Sequence, residues 1–348
     1  FSDNLTIQSR YPDGGSSYVS SAAYLGYRQD LNTKSTLNTG VRFTRTNLSA
    51  SWIDQTIIIL PETSIRLDNS AFTATVGYVY KPTKNLQLNT VLSSGFRSPN
   101  IDDVGRIREK SGNVTVPNIY LKPEFAYSAE IGLQKYFNNR KFRIGFNTYY
   151  TLLEHYIVRD DFPMYGTSSN TGQLLYDDEM GNMVANQNRG NAYIYGYTAS
   201  YQGKLSEYIS TNGFVTYTKG RTYDTEEPLS SIPPFFGQFD INYTNKKFQL
   251  GTSFRFNSKK DISDFNFTEG IDNHDLTPVV NENAVEDVAK YYGSPSWVTL
   301  GFNSSFTFNK NWKLQGMISN LFDQHFREFA SGISAPGRNF SFSLITVF

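Results

Sequence analysis

The chain has 348 residues and no cysteine, which excludes a disulfide framework and every thiolate-based catalytic or metal site. Its 32 Lys and Arg balance its 32 Asp and Glu, so no net field attracts nucleic acid and no nucleic-acid partner is expected. Aromatic residues reach 16% (24 Tyr, 27 Phe) while hydrophobic residues total only 39%. That combination suits strands with one face in lipid and one in water, bordered by aromatic girdles.

The chain opens on residues 1 to 10 without an initiator Met or a basic-then-apolar leader, so it is expected to begin inside a mature chain or a fragment. No apolar run approaches the roughly 18 residues of a membrane helix. Period-two alternation predicts strands near 17–28, 36–48, 70–80, 86–96, 125–137, 142–158, 192–204, 209–219, 236–244, 248–257, 297–308, 313–320 and 340–348, and no helix. In two of them Phe239, Ile241, Tyr243, Phe302 and Phe306 are expected to face lipid, and Asp240, Asn242 and Asn303 the lumen. A soluble sandwich would show the same period. The connections separate the two architectures. Short turns at 30–34, 81–85, 138–141, 205–208, 245–247 and 309–311 alternate with long segments at 49–69, 97–124, 159–191, 220–235, 258–296 and 321–339. Tight periplasmic turns and long extracellular loops give membrane barrels this asymmetry.

In the last strand the alternate positions Phe340, Phe342, Leu344 and Phe348 are apolar, and Ser341 and Ser343 between them are small and polar. Ahead of it runs NLFDQHFREFASGISAPGRNF. Asn320, Leu321, Phe322, Asp323, Pro336, Gly337, Arg338 and Phe348 match the C-terminal signature of TonB-dependent outer-membrane receptors, which this chain therefore resembles. SSGFRSPNIDDV at 93–104 and VPNIYLKPEFAYSAEIGL at 116–133 look like two further boxes of that family. The resemblance implies an all-β fold, a transmembrane antiparallel β-barrel in the outer membrane of a Gram-negative bacterium. About thirteen strands, fourteen if Leu5 to Ser9 ends another, fall short of the family's about 22. Residues 1–348 are thus expected to be the C-terminal part of a plugged barrel, without its plug domain, its TonB box or its first strands.

The function implied is TonB-dependent uptake of a scarce nutrient, a ferric siderophore or haem, with cobalamin or a passive porin-like channel as alternatives. The partners implied are the TonB complex, acting through a plug outside this chain, the remaining barrel polypeptide, and outer-membrane lipid. No enzyme motif (P-loop, GxGxxG, GxSxG or HExxH) occurs, and no catalytic residue, cofactor or resident metal is expected.

Candidate ligand contacts lie in the long loops. Arg97 sits where FRSPN leaves its strand, a place for ligand contact at the mouth, but the reading favoured is that Pro99 there just ends the ladder while Arg97 snorkels. Arg106, Arg108 and Lys110 in RIREK suit a carboxylate or catecholate ligand, or form a solvated loop in which Glu109 cancels part of the charge. Haem receptors of the family use a His between the two boxes, and none lies between Phe96 and Leu121. His155 is expected on a strand and His325 belongs to the terminal signature, leaving His274 as the exposed candidate for haem coordination. The carboxylates of Asp272 and Asp275, or of Asp177, Asp178 and Glu179, match no EF-hand spacing.

Overall fold

The computed structural model describes residues 9–110, 112–164, 172–177, 179–267 and 270–347. Most of the strand expected at Leu5 to Ser9, Asp178 and Phe348 lie outside these. Thirteen strands form one sheet in sequence order: β1 (Ser16–Asn32), β2 (Ser35–Ser51), β3 (Ser64–Thr83), β4 (Leu86–Arg97), β5 (Glu124–Phe137), β6 (Phe142–Glu154), β7 (Ala192–Lys204), β8 (Ile209–Thr222), β9 (Phe236–Thr244), β10 (Phe248–Asn257), β11 (Trp297–Thr307), β12 (Trp312–Ser319) and β13 (Asn339–Thr346). Every neighbour is antiparallel, so the short turns share one rim and the long loops the other. Among the described residues β1 pairs only with β2 and β13 only with β12.

Each expected strand is present, with two corrections. The strand expected over 142–158 stops at Glu154, because His155 adopts a left-handed φ of 56° and turns the chain into the loop. At the other extreme β1 and β2 run 17 residues and β3 runs 20. At about 3.3 Å per residue these overreach a hydrocarbon layer of about 30 Å, so their far ends project past it and become part of a folded cap.

Register shows which face is which, because residues directly opposite in an antiparallel pair point to the same side. Ile241, Thr252, Phe302, Ile318 and Phe340 form one continuous row across β9 to β13. Asn242, Gly251, Asn303, Met317 and Ser341 form the adjacent row on the other face. There the amides of Asn242 and Asn303 close over Gly251 so tightly that a Cβ would lie 2.5 Å from Asn242 Oδ1. The apolar face is bare: Phe72 is 78% exposed, Phe342 77% and Ile131 58%. The loops fold over the polar side, burying Leu153 and Ala192 of its rows beneath Leu229. A sheet with its grease outward and its polar face inward is what a lipid-embedded barrel wall requires.

The main hydrophobic core therefore lies in the loops. Trp52, Ile58, Val104, Ile107, Val114, Leu121, Ile157 and Met183 pack with the projecting ends of β2 and β3 through Leu48 and Ile65. Five short strands frame that core: Arg108–Lys110, Asn113–Thr115, Ile157–Asp161, Gln173–Tyr176 and Glu179–Asn188. The expectation of helix-free loops also needs correction. The helix Ile101–Val104 has a reciprocal capping box between Asn100 and Asp103, and a second turn of helix spans Asp287–Lys290.

Candidate functional site in the long-loop rim

The FRSPN stretch proves to be a structural tie. Pro99 is fully buried, and Ser98 Oγ accepts hydrogen bonds from Thr46 Oγ1 (2.8 Å) and Asn69 Nδ2 (3.1 Å), joining β4 to β2 and β3. Arg97 donates to Asp103 Oδ1 at 2.6 Å and lies 3.7 Å from Glu124 Oε2. Glu124 Oε2 in turn accepts the Ile157 N–H at 2.8 Å. One guanidinium thus fastens the end of β4, the capped helix, the start of β5 and the loop sheet together. The downstream box does the same: buried Asn118 donates to the Asn186 carbonyl (2.8 Å) and accepts from the Tyr120 N–H (3.0 Å).

These ties shape a cleft of about 380 Å³ at the mouth, lined on one side by Arg97, Arg106 and Arg159 with Asp102 and Asp103, and on the other by Leu229 and Ile271 from later loops. Arg106 lies deep in its wall: its side chain is 17% exposed, its nearest carboxylate, Asp102, is 4.0 Å away, and its Nε is buried without a hydrogen bond. A buried donor without an acceptor is costly, and Arg106 Nε is such a donor in the cleft wall. Arg159 joins this site from the strand Ile157–Asp161 and was not singled out in the sequence. It is followed there by two aspartates, which mark a solvated turn as readily as a site, so only the fold brings it to Arg106.

The remaining candidates separate from this cleft. Arg108 and Lys110 are exposed on a short edge strand of the loop sheet. The expectation that His274 is exposed is overturned. It is 8% exposed, with Nε2 2.7 Å from Asp287 Oδ2 and its ring edge-on to Phe267 and Tyr291 at 4.9 and 5.7 Å. Packed in this way, it fastens the loop between β10 and β11. Asp272, considered for cation binding, is also buried: its Oδ1 accepts the Ser231 N–H at 2.8 Å and its Oδ2 lies 3.6 Å from Lys260 Nζ. Lys260 also donates to the Ile232 carbonyl (2.7 Å) and lies over the rings of Phe265 and Phe329. Burial holds this amine below the ordinary lysine value, opposed by the Asp272 charge.

The terminal signature is a self-tied loop. Asn320 Nδ2 donates to the carbonyls of Gln324 (2.9 Å) and Pro336 (3.2 Å), while Asp323 Oδ1 accepts the Arg338 N–H at 2.7 Å. These bonds turn the chain from β12 into β13.

Comparison with known proteins agrees with this architecture. The family described as TonB dependent receptor-like, beta-barrel matches residues 2–321. Hemoglobin-binding protein A of Haemophilus influenzae is 26% identical over 187 residues, covering 50% of this chain and 17% of that protein. Hemoglobin-haptoglobin utilization protein B of Neisseria meningitidis serogroup C is 26% identical over 230 residues, covering 61% of this chain and 28% of that one. Among solved structures, the copper transporter OprC superposes with a TM-score of 0.74 at 16% identity, over 96% of this chain and 48% of its own. The siderophore receptor PiuA from Acinetobacter baumannii superposes with 0.68 at 16% identity, over 95% and 43%. The chain spans about half the length of these structures and less than a third of the two curated relatives. Thirteen up-and-down strands, grease outward, with a folded cap on one rim, thus place the chain in the TonB-dependent receptor family, as part of its β-barrel.

Proposed function

We propose that this chain is the C-terminal portion of the barrel of an outer-membrane importer, driven through TonB, whose cargo is a haem-bearing or ferric-siderophore ligand. The observation that carries the choice of cargo is the similarity, over half of the chain or more, to two proteins named for haemoglobin. The arginine-lined cleft fits it chemically, since haem propionates, siderophore carboxylates and catecholates are all anions that guanidinium groups bind well. The test is growth of an iron-starved strain, with the gene for the whole receptor intact or deleted, on haemoglobin, haem or a ferric siderophore as sole iron source. Loss of growth on one of these, reproduced by deleting TonB, is the expected result. Uptake that survives loss of TonB and of the proton gradient would point to a passive channel, and a defect confined to cobalamin would reassign the cargo.

The same reading holds that strands outside these residues complete the barrel and enclose the plug. An unpaired strand edge in lipid costs several kcal/mol per group, and β1 and β13 each pair on one side only among the described residues. A cysteine pair at Leu25 and Phe342 tests it in the whole receptor. No disulfide between the two is expected, and ready cross-linking would mean that these thirteen strands close on themselves.

A further inference from the structure

The short-turn rim is basic although the chain as a whole is balanced. Its turns at 30–34, 81–85, 138–141, 205–208, 245–247 and 309–311 hold eight Lys or Arg against two carboxylates, Asp30 and Glu207. Asp30 is already engaged, accepting from Thr36 Oγ1 at 2.7 Å and lying 4.0 Å from Arg28. Lys34, Lys81, Lys84 and Arg140, from the first three turns, line one cleft of about 520 Å³ with no carboxylate in its lining. Among the described residues none of the four is in an ion pair. Arg140 is built into the wall. Its Nη1 donates to the Lys84 carbonyl at 2.6 Å, and its guanidinium lies 3.9 Å from the centre of the Tyr136 ring. The Tyr136 hydroxyl in turn donates to Gln134 Oε1 at 2.8 Å.

Register gives the direction in which this cleft opens. Exposed Ile131 opposes Thr90 on the outward face, so the alternate pairs Gln87 with Gln134, Asn89 with Gly132 and Ser93 with Ser128 lie inward, as does Tyr136. Gln87 and Tyr136 both line the cleft, which therefore faces the lumen and not the lipid. At its other end β4 finishes in Arg97, in the wall of the arginine cleft. Two cationic clefts thus stand at opposite ends of one strand. The inward face between them is small and polar, with Glu130 midway, opposite Val91.

We propose that the short-turn cleft is an exit site for anionic cargo, holding its carboxylate or catecholate groups as it leaves the lumen. Lysines without counter-charges and a fixed guanidinium attract such oxyanions, and Glu130 repels an anion between the two ends, which keeps them separate stations. The inference rests on the reading of the cargo as an anion.

The test uses the whole receptor in a maltoside detergent, with radiolabelled citrate as a compact tricarboxylate probe and its neutral triethyl ester as the control. In equilibrium dialysis, Lys81→Gln combined with Lys84→Gln is expected to weaken citrate binding about tenfold, and Lys81→Arg combined with Lys84→Arg to retain it. On cells lacking TonB, the glutamine variant should capture haem or a ferric siderophore at the surface as the parent does. With TonB present it should import that cargo more slowly at equal expression. Heat-modifiable migration on gels reports folding, and Lys81→Gln alone replaces a double variant that does not fold. Unchanged citrate affinity in the folded variant, equal retention of the ester, or import at the parent rate would each overturn the proposal. Displacement of citrate by phosphatidylglycerol but not by phosphatidylcholine would also overturn it and reassign the cleft to a lipid headgroup. Failure of the cargo reading shows elsewhere, as growth on haem and siderophores that deleting the receptor leaves unaffected.

Discussion

At the scale of single residues, the most heavily constrained charge is the Lys260 ammonium, 5% exposed against a fully buried Asp272. Lys260→Met strands that carboxylate with only the Ser231 N–H, and should destabilise the loop assembly by about 3–5 kcal/mol. Adding Asp272→Asn keeps the acceptor for Ser231 and removes the charge, so the double variant should recover most of the loss. Hydrogen exchange at 258–276 reads both, and strictly additive losses would show that the two side chains do not act as a pair. The pH dependence has a definite sign. The folded amine titrates below the ordinary value of 10.5, so between those two values the unfolded chain binds more protons and stability rises with pH. That rise should be absent from Lys260→Met.

Among the elements, the short-turn rim shows what backbone alone demands. Gly203, near the end of β7, has φ +155°, and a Cβ there would lie 2.3 Å from the Lys141 carbonyl and 2.5 Å from Phe142 Cα. Both obstacles are main chain of the paired strand, so no side-chain movement relieves them. Gly203→Ala should cost about 1–3 kcal/mol, seen as a lower temperature for loss of heat-modifiable migration. Gly26, where an added Cβ would meet nothing within 4 Å, is the control: Gly26→Ala should leave that temperature within a degree or two of the parent. An equal effect at the two positions would show that strand propensity, and not the close approach, governs the rim. The loop elements behave differently. The five strands that frame the loop core are three to ten residues long, and they hold together through that shared core around Trp52, Ile58 and Met183.

For the molecule as a whole, strict alternation of short and long connections fixes sidedness. Single cysteines at Arg108 or Lys110 should react with an impermeant maleimide on intact cells, and cysteines at Asn139 or Lys246 should react only after the outer membrane is opened. The first pair lies on an exposed edge of the cap and the second in the turns at 138–141 and 245–247 on the opposite rim. The reverse pattern would invert the orientation. A wall this apolar on its outer face, with exposed Phe43, Phe72, Ile131, Phe302 and Phe342, has no stable water-facing alternative, because exposed apolar patches of such extent associate in water.

The sequence by itself determined the thirteen strands, the two kinds of connection and the inward and outward faces, because period two and turn chemistry are local properties that need no knowledge of partners. It also singled out Arg97 and Arg106 through FRSPN and RIREK, and both line the rim cleft. Only the tertiary structure decided what the long loops build. Asn113–Thr115 pairs in parallel with three residues of the far-off Glu179–Asn188, and a three-residue run carries too little periodicity to announce such a pairing. The same holds for His274: a histidine between two aspartates reads as solvated, and its burial depends on Phe267 and Tyr291 arriving from either side. Arg159 enters the cleft through cross-strand register, a non-local quantity set by which strands pair and by how many residues separate them.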